Sequence, residues 1–164
     1  MRALIDKVDI QKPTNGIDLR FLESFNKSIE YDDDDDDWDE DSHCRVCGIT
    51  FYHVNVGGCD ITSQNAADVF GDGKVSYDKS TNTLTLNGYT YEGDGVSFAE
   101  DEHAAILSNK GVNIQLLGEN SIKTTEGMHV GGIVVLEGDC TISGTGTLTV
   151  LVDGGGIALA GGSL

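Results

Sequence analysis

Proline and tryptophan each occur once, aromatic residues make up only 7%, and no apolar run approaches the length of a membrane-spanning helix. Basic residues are scarce as well. Ten Lys and Arg stand against 28 Asp and Glu, a formal charge of −18 with no basic cluster anywhere. That balance excludes a phosphate-backbone partner, so no nucleic acid is expected. The opening "MRALIDKVDIQKPTNG" has no uninterrupted apolar segment and no small-residue cleavage site. The chain therefore shows no signal peptide, and reads as cytoplasmic or as a piece of a longer exported protein. Four cysteines, Cys44, Cys47, Cys59 and Cys140, are too sparse for a disulfide-dense miniprotein and leave the redox compartment open.

What the chain does have is glycine, 22 residues of it, with many Thr, Asn and Asp. This mixture suits short strands joined by tight turns rather than helical bundles. A chain of 164 residues suits one domain with an appendage, and such a domain buries roughly 70% of its unfolded surface.

Four stretches differ in texture. Residues 1–30 carry Leu19, Leu22, Phe25 and Ile29 at three- and four-residue spacing, which predicts a short helix over 18–29 capped by Asp18. Residues 31–43 are an acidic linker: "DDDDDDWDED" holds nine of the 28 acidic side chains, and like charges this dense cannot bury. Residues 44–100 combine a cysteine knuckle with entry hairpins. "FYHVNVGGCDIT" alternates apolar and polar residues about Gly57–Gly58, and "KVSYD" and "TLTLNG" flank "KSTN" as a second hairpin. Between them "SQNAADVF" predicts a short helical turn with Ser63 as its cap.

Residues 101–164 repeat. Ile106, Ile133 and Ile157 each open a similar unit, at spacings of 27 and 24 residues. The full units read "AILSNKGVNIQLLGENSI" and "GIVVLEGDCTISGTGTLTV", strand pairs broken by glycine. A period of this length without helical segments predicts a solenoid whose units must stack to bury their inner faces. The competing fold is an antiparallel sandwich. For the solenoid the inward residues are Leu84, Leu86, Ile106, Val112, Ile114, Leu116, Ile122, Ile133, Val135, Cys140, Ile142, Leu148 and Val150. Tyr89 and Phe98 are expected to cover its open N-terminal end. The last unit, "GIALAGGSL", has no polar cap, so either the chain is a fragment or end-to-end self-association occurs through this uncapped rung.

Three groups of residues could carry chemistry. Cys44 and Cys47 form a C-x-x-C knuckle before Gly48, and His53 and Cys59 complete a Cys₃His set of the kind zinc takes, with His43 as an alternative fourth ligand. A Cys44–Cys47 redox or disulfide pair and inert thiols are the other readings. Asp94, Glu100, Asp101 and Glu102 cluster before the first full unit, and could supply oxygen ligands to calcium or be a solvated loop. For an enzyme, the basic residues near the units are Lys110, Lys123, His103 and His129, and the carboxylates Glu119, Glu126, Glu137, Asp139 and Asp153 are scattered at turns. That scatter does not suggest the facing pair a glycosidase needs.

The string "VNVGGCDITSQNAADVFGDGKVSYDKSTNTLTLNGYTYEG" resembles an entry module of surface proteins from Gram-positive gut bacteria, where it precedes a β-helix. The two full units are similar to rungs of carbohydrate-binding right-handed parallel β-helix proteins. The resemblance covers about residues 50–164. It implies a mostly β fold, with entry hairpins followed by a short, truncated right-handed parallel β-helix. It also implies an extracellular or cell-surface location and a non-enzymatic binding module for acidic polysaccharide, with calcium as the associated ion. A structural or adhesive solenoid without a small ligand is the alternative, and a calcium-dependent polysaccharide lyase the third reading.

Overall fold

The computed structural model describes residues 48–124 and 130–164. The predicted helix at 18–29, the acidic linker, Cys44, Cys47 and His129 lie outside them. Residues Ile49–Leu164 form one compact unit. Its thirteen strands are β1 (Phe51–Val56), β2 (Cys59–Thr62), β3 (Val75–Asp78), β4 (Thr83–Asn87), β5 (Thr90–Gly93), β6 (Val96–Ala99), β7 (Glu102–Ser108), β8 (Val112–Leu117), β9 (Glu119–Thr124), β10 (Val130–Val135), β11 (Cys140–Gly144), β12 (Thr147–Leu151) and β13 (Ile157–Leu159). The described chain is mostly β, and no helix in it is long and apolar enough to cross a membrane.

The first hairpin joins β1 to β2 in antiparallel register, Val56 opposite Cys59. Its two turn residues both take positive φ, +58° at Gly57 and +84° at Gly58, a conformation that residues with a Cβ resist. The second hairpin pairs β3 with β4, Val75 opposite Leu86 and Asp78 opposite Thr83. Both match the sequence reading to within a residue. The segment between them does not. A non-helical turn spans 63–67, and Thr62 rather than Ser63 offers the hydroxyl that accepts the Gln64 N–H, at 3.3 Å. The turn cannot continue as a helix because the Ala66 carbonyl accepts the Tyr77 N–H of β3 at 2.7 Å.

Beyond the hairpins the pairing becomes parallel. β10 lies beside β7, with Ile133 against Ile106, and β13 lies beside β10, with Ile157 against Ile133. The three isoleucines picked out by their spacing therefore form one row. β11 pairs with β8 and β8 with β4, aligning Leu84, Ile114 and Ile142. β12 pairs with β9 and β9 with β5, aligning Tyr91, Ile122 and Val150. Each unit thus holds three strands where the sequence suggested a pair. The hairpin strands β1, β2 and β3, together with β6, add antiparallel edges, so the six-stranded and four-stranded sheets are mixed and the three-stranded one is wholly parallel.

Alternation explains the strands. In β8, Val112, Ile114 and Leu116 are buried while Asn113 and Gln115 face solvent. The rows from the three sheets meet in one core containing Val56, Ile61, Leu84, Leu86, Ile106, Ile114, Ile122 and Ile133. Ten of the expected inward residues are buried, and the other three, Ile142, Leu148 and Val150, pack against the core while partly exposed. Each fully buried aliphatic side chain contributes about 1.5–3 kcal/mol.

Candidate functional site

On the face of the six-stranded sheet away from this core, a second apolar cluster forms from Ala104, Leu107 and Val134, with Val96, Phe98 and Leu136 packed against it. Phe98 belongs to this outer cluster, whereas the sequence placed it over the open N-terminal end of a solenoid. The reason is β6. It folds back antiparallel along β7, Val96 opposite Ala104, and carries its ring onto the outer face. Beside Phe98 lies a groove of about 370 Å³. Glu102 and His103 line one part of it, Gly131, Val134 and Leu136 another, and Gly154, Gly155 and residues 158–160 the remainder. Gly131, Gly154 and Gly155 contribute no side chains, which keeps the space open. The His103 Nδ1 atom is buried without a hydrogen-bond partner among the described residues.

The groove presents an aromatic ring, one carboxylate and one imidazole, and its lining includes no Lys or Arg. That set can hold a partly polar ring by stacking and hydrogen bonding. It lacks the two facing carboxylates of a glycosidase.

A smaller hollow of about 140 Å³ lies along the first hairpin, lined in part by Phe51, His53, Asn55, Asp60 and Asn109. His53 has a positive φ of 59°, at the irregularity where the β1–β2 register shifts. Buried Asn55 donates to Asp60 Oδ1 at 2.8 Å and accepts the Gly58 N–H at 3.0 Å.

The predicted site residues are dispersed. Cys59 packs against the core, its sulfur 3.6 Å from the Asn65 side-chain nitrogen, while His53 lines the smaller hollow with Asp60. Asp94 precedes β6, Glu100 and Asp101 form the turn after it, and Glu102 lines the groove. The strand between thus separates Asp94 from the other three. Among the described residues no three His, Cys, Asp or Glu side chains gather as a metal site would require. Cys140 is 1% exposed and its thiol is pushed up by burial, as its inward position implies. Comparison with protein families, with curated proteins and with solved structures found no match for this chain.

The aromatic side chains not used by the groove stack elsewhere. Phe70 lies against Tyr89 with ring centroids 5.8 Å apart, and Tyr89 against Tyr91 at 6.4 Å. The Tyr89 hydroxyl is buried with no hydrogen-bond partner among the described residues. Burial is the main cause that pushes this phenol well above its ordinary value of 10.0, with Tyr91 adding to it. The unfolded chain therefore ionises first, so the contribution of this phenol to stability is constant up to about pH 10 and falls as pH rises beyond it. Tyr89→Phe removes an unpaired buried hydroxyl and is expected to leave stability at pH 7 equal or raised. The same change should flatten the alkaline fall, with Tyr77, also pushed up by burial, leaving a residual slope. Urea denaturation midpoints at pH 8 and pH 11 for both proteins check this.

Proposed function

We propose that residues 49–164 form a non-enzymatic binding module, built as a short right-handed parallel β-helix and directed at acidic polysaccharide. The architectural part is supported by the similar offsets between parallel-paired strands: 27 residues from β7 to β10, 28 from β8 to β11 and from β9 to β12, 24 from β10 to β13, 30 from β4 to β8 and 31 from β5 to β9. Successive parallel strands joined this way are right-handed in nearly all proteins. The observation that carries the binding role is the groove beside Phe98, where an aromatic face, Glu102 and His103 border open backbone. The ligand class comes from the resemblance of the entry string and rungs, which also suggests an extracellular or cell-surface setting.

A chain of charge −18 repels a polyuronate, so binding requires a bridging divalent cation, and calcium is the ion the resemblance implies. Affinity electrophoresis through gels containing polygalacturonate tests this. Retardation is expected with calcium and not with chelator, lost in Phe98→Ala, with no release of unsaturated sugar absorbing in the ultraviolet. Absence of retardation with calcium would overturn the polysaccharide reading. A structural or adhesive solenoid would then take its place.

A further inference from the structure

We propose that the groove beside Phe98 receives a methyl-esterified uronosyl residue, while the free carboxylates of the same polymer stay outside it. The inference rests on the polysaccharide reading and narrows it. Charge is the reason. A free uronate carries one negative charge per ring, and the groove meets it with the Glu102 carboxylate and no Lys or Arg in its lining. The chain next to the groove has the same sign. Glu100 and Asp101 form the turn that leads into Glu102, and Asp153 precedes Gly154.

The described residues hold four lysines and no arginine, and none of the four lines the groove. Lys123 pairs with Glu92 at 2.8 Å and Lys74 with Asp72 at 3.5 Å. Lys79 lies over the Tyr52 ring, 5.5 Å from its centroid, and Lys110 follows β7 at the end away from Glu102. A carboxylate placed in the groove would lose water and gain no cation from these residues, which disfavours it.

What the walls offer is apolar contact. Val134 belongs to β10 and Leu136 follows it, Ala158 and Leu159 belong to β13, and the Phe98 ring lies beside them. Val134 is packed with Ala104 and Leu107, so its wall is backed by other side chains. Esterification removes the uronate charge and adds one methyl group. The C–H face of the sugar then stacks on Phe98, a hydroxyl donates to Glu102, and the methyl covers the apolar wall. Burying that methyl is worth roughly fourfold in affinity. Calcium bridges the free carboxylates that remain outside, so a polymer with both kinds of residue meets both requirements.

Affinity electrophoresis of the full chain with calcium tests the proposal, in gels holding either unesterified or partly methyl-esterified polygalacturonate. The esterified polymer should give equal retardation at about threefold lower concentration or less, although it offers calcium fewer carboxylates. Ala158→Lys, at an exposed residue of the groove, should reverse the preference by supplying the missing cation, and Glu102→Gln should narrow it. Leu151→Lys, at an exposed side chain outside the groove lining, should keep the wild-type preference. All three should leave the β-type circular dichroism unchanged. Equal retardation by the two polymers, stronger retardation by the unesterified one, or a reversal produced by Leu151→Lys and not by Ala158→Lys would overturn the proposal and leave the polysaccharide reading standing. No retardation by either polymer would overturn that reading itself, and the proposal with it.

Discussion

Ile133→Ala is expected to lower the unfolding free energy by about 2–5 kcal/mol, the range for removing a large aliphatic side chain from a tight core. Ile133 is fully buried between Ile106 on one side and Ile157 on the other, and its neighbours sit on paired strands that cannot collapse into the space. The same substitution at Ile157 should cost about 1 kcal/mol or less, because that side chain already keeps 39% of its exposure. Urea denaturation of both variants gives the contrast directly. Equal losses at the two positions would mean that the row is covered at both ends.

The second large effect belongs to a polar residue. Asn120 is 2% exposed and ties three levels of strand together. Its Oδ1 accepts the Tyr89 N–H at 2.8 Å, and its Nδ2 donates to the Leu117 carbonyl at 3.1 Å and the Thr147 carbonyl at 3.0 Å. Asn120→Ala leaves the buried Tyr89 N–H without this partner, at about 1–3 kcal/mol, and removes one donor from each of the two partly buried carbonyls. Asn120→Asp should be comparably damaging at neutral pH, since a carboxylate accepts from Tyr89 but has no proton for the two carbonyls. Both should lower the thermal midpoint well beyond Asn113→Ala, whose side chain is exposed and makes one bond to the Thr81 carbonyl.

Asn120 also shows where sequence reading loses information. The rows of isoleucine, valine and leucine were legible because paired strands place like residues at similar spacings, and Ile106, Ile133 and Ile157 stood out among glycine and threonine at 27 and 24 residues. The hairpins were legible because Gly57–Gly58 and "KSTN" interrupt alternating strands. β5 and β9 were less so: "TYEG" turns only Tyr91 and Gly93 inward, and "ENSIKT" puts Asn120 and Thr124 among its inward positions, where an asparagine looks like a turn residue. The turn at 63–67 resembled a helix start because Ser63 is of a type favoured as an N-cap. Only the tertiary bond from Tyr77 to Ala66 shows that β3 takes the carbonyl a helix would need.

The site was less legible than the fold. Phe98 was read as a cover for the open N-terminal end of the solenoid, but its face depends on β6 turning back along β7, which no local pattern announces. Glu102 was picked for its charge among neighbouring carboxylates. Its position in the groove follows from the first residue of β7 lying beside the chain at 154–160, more than 50 positions later. His53 and Cys59 were close in number, yet Cys59 packs on the core and His53 lines a hollow shared with Asp60, a separation set by the pleat and by the shift in β1–β2 register.

The stacking of units in register underlies each of these effects, and methyl nuclear Overhauser contacts in isoleucine-labelled protein measure it most directly. Contacts from Ile133 to both Ile106 and Ile157, and from Ile114 to Ile142, are the predicted result. Ile133 contacts to neither Ile106 nor Ile157, or an Ile142 side chain remote from Ile114, would contradict it.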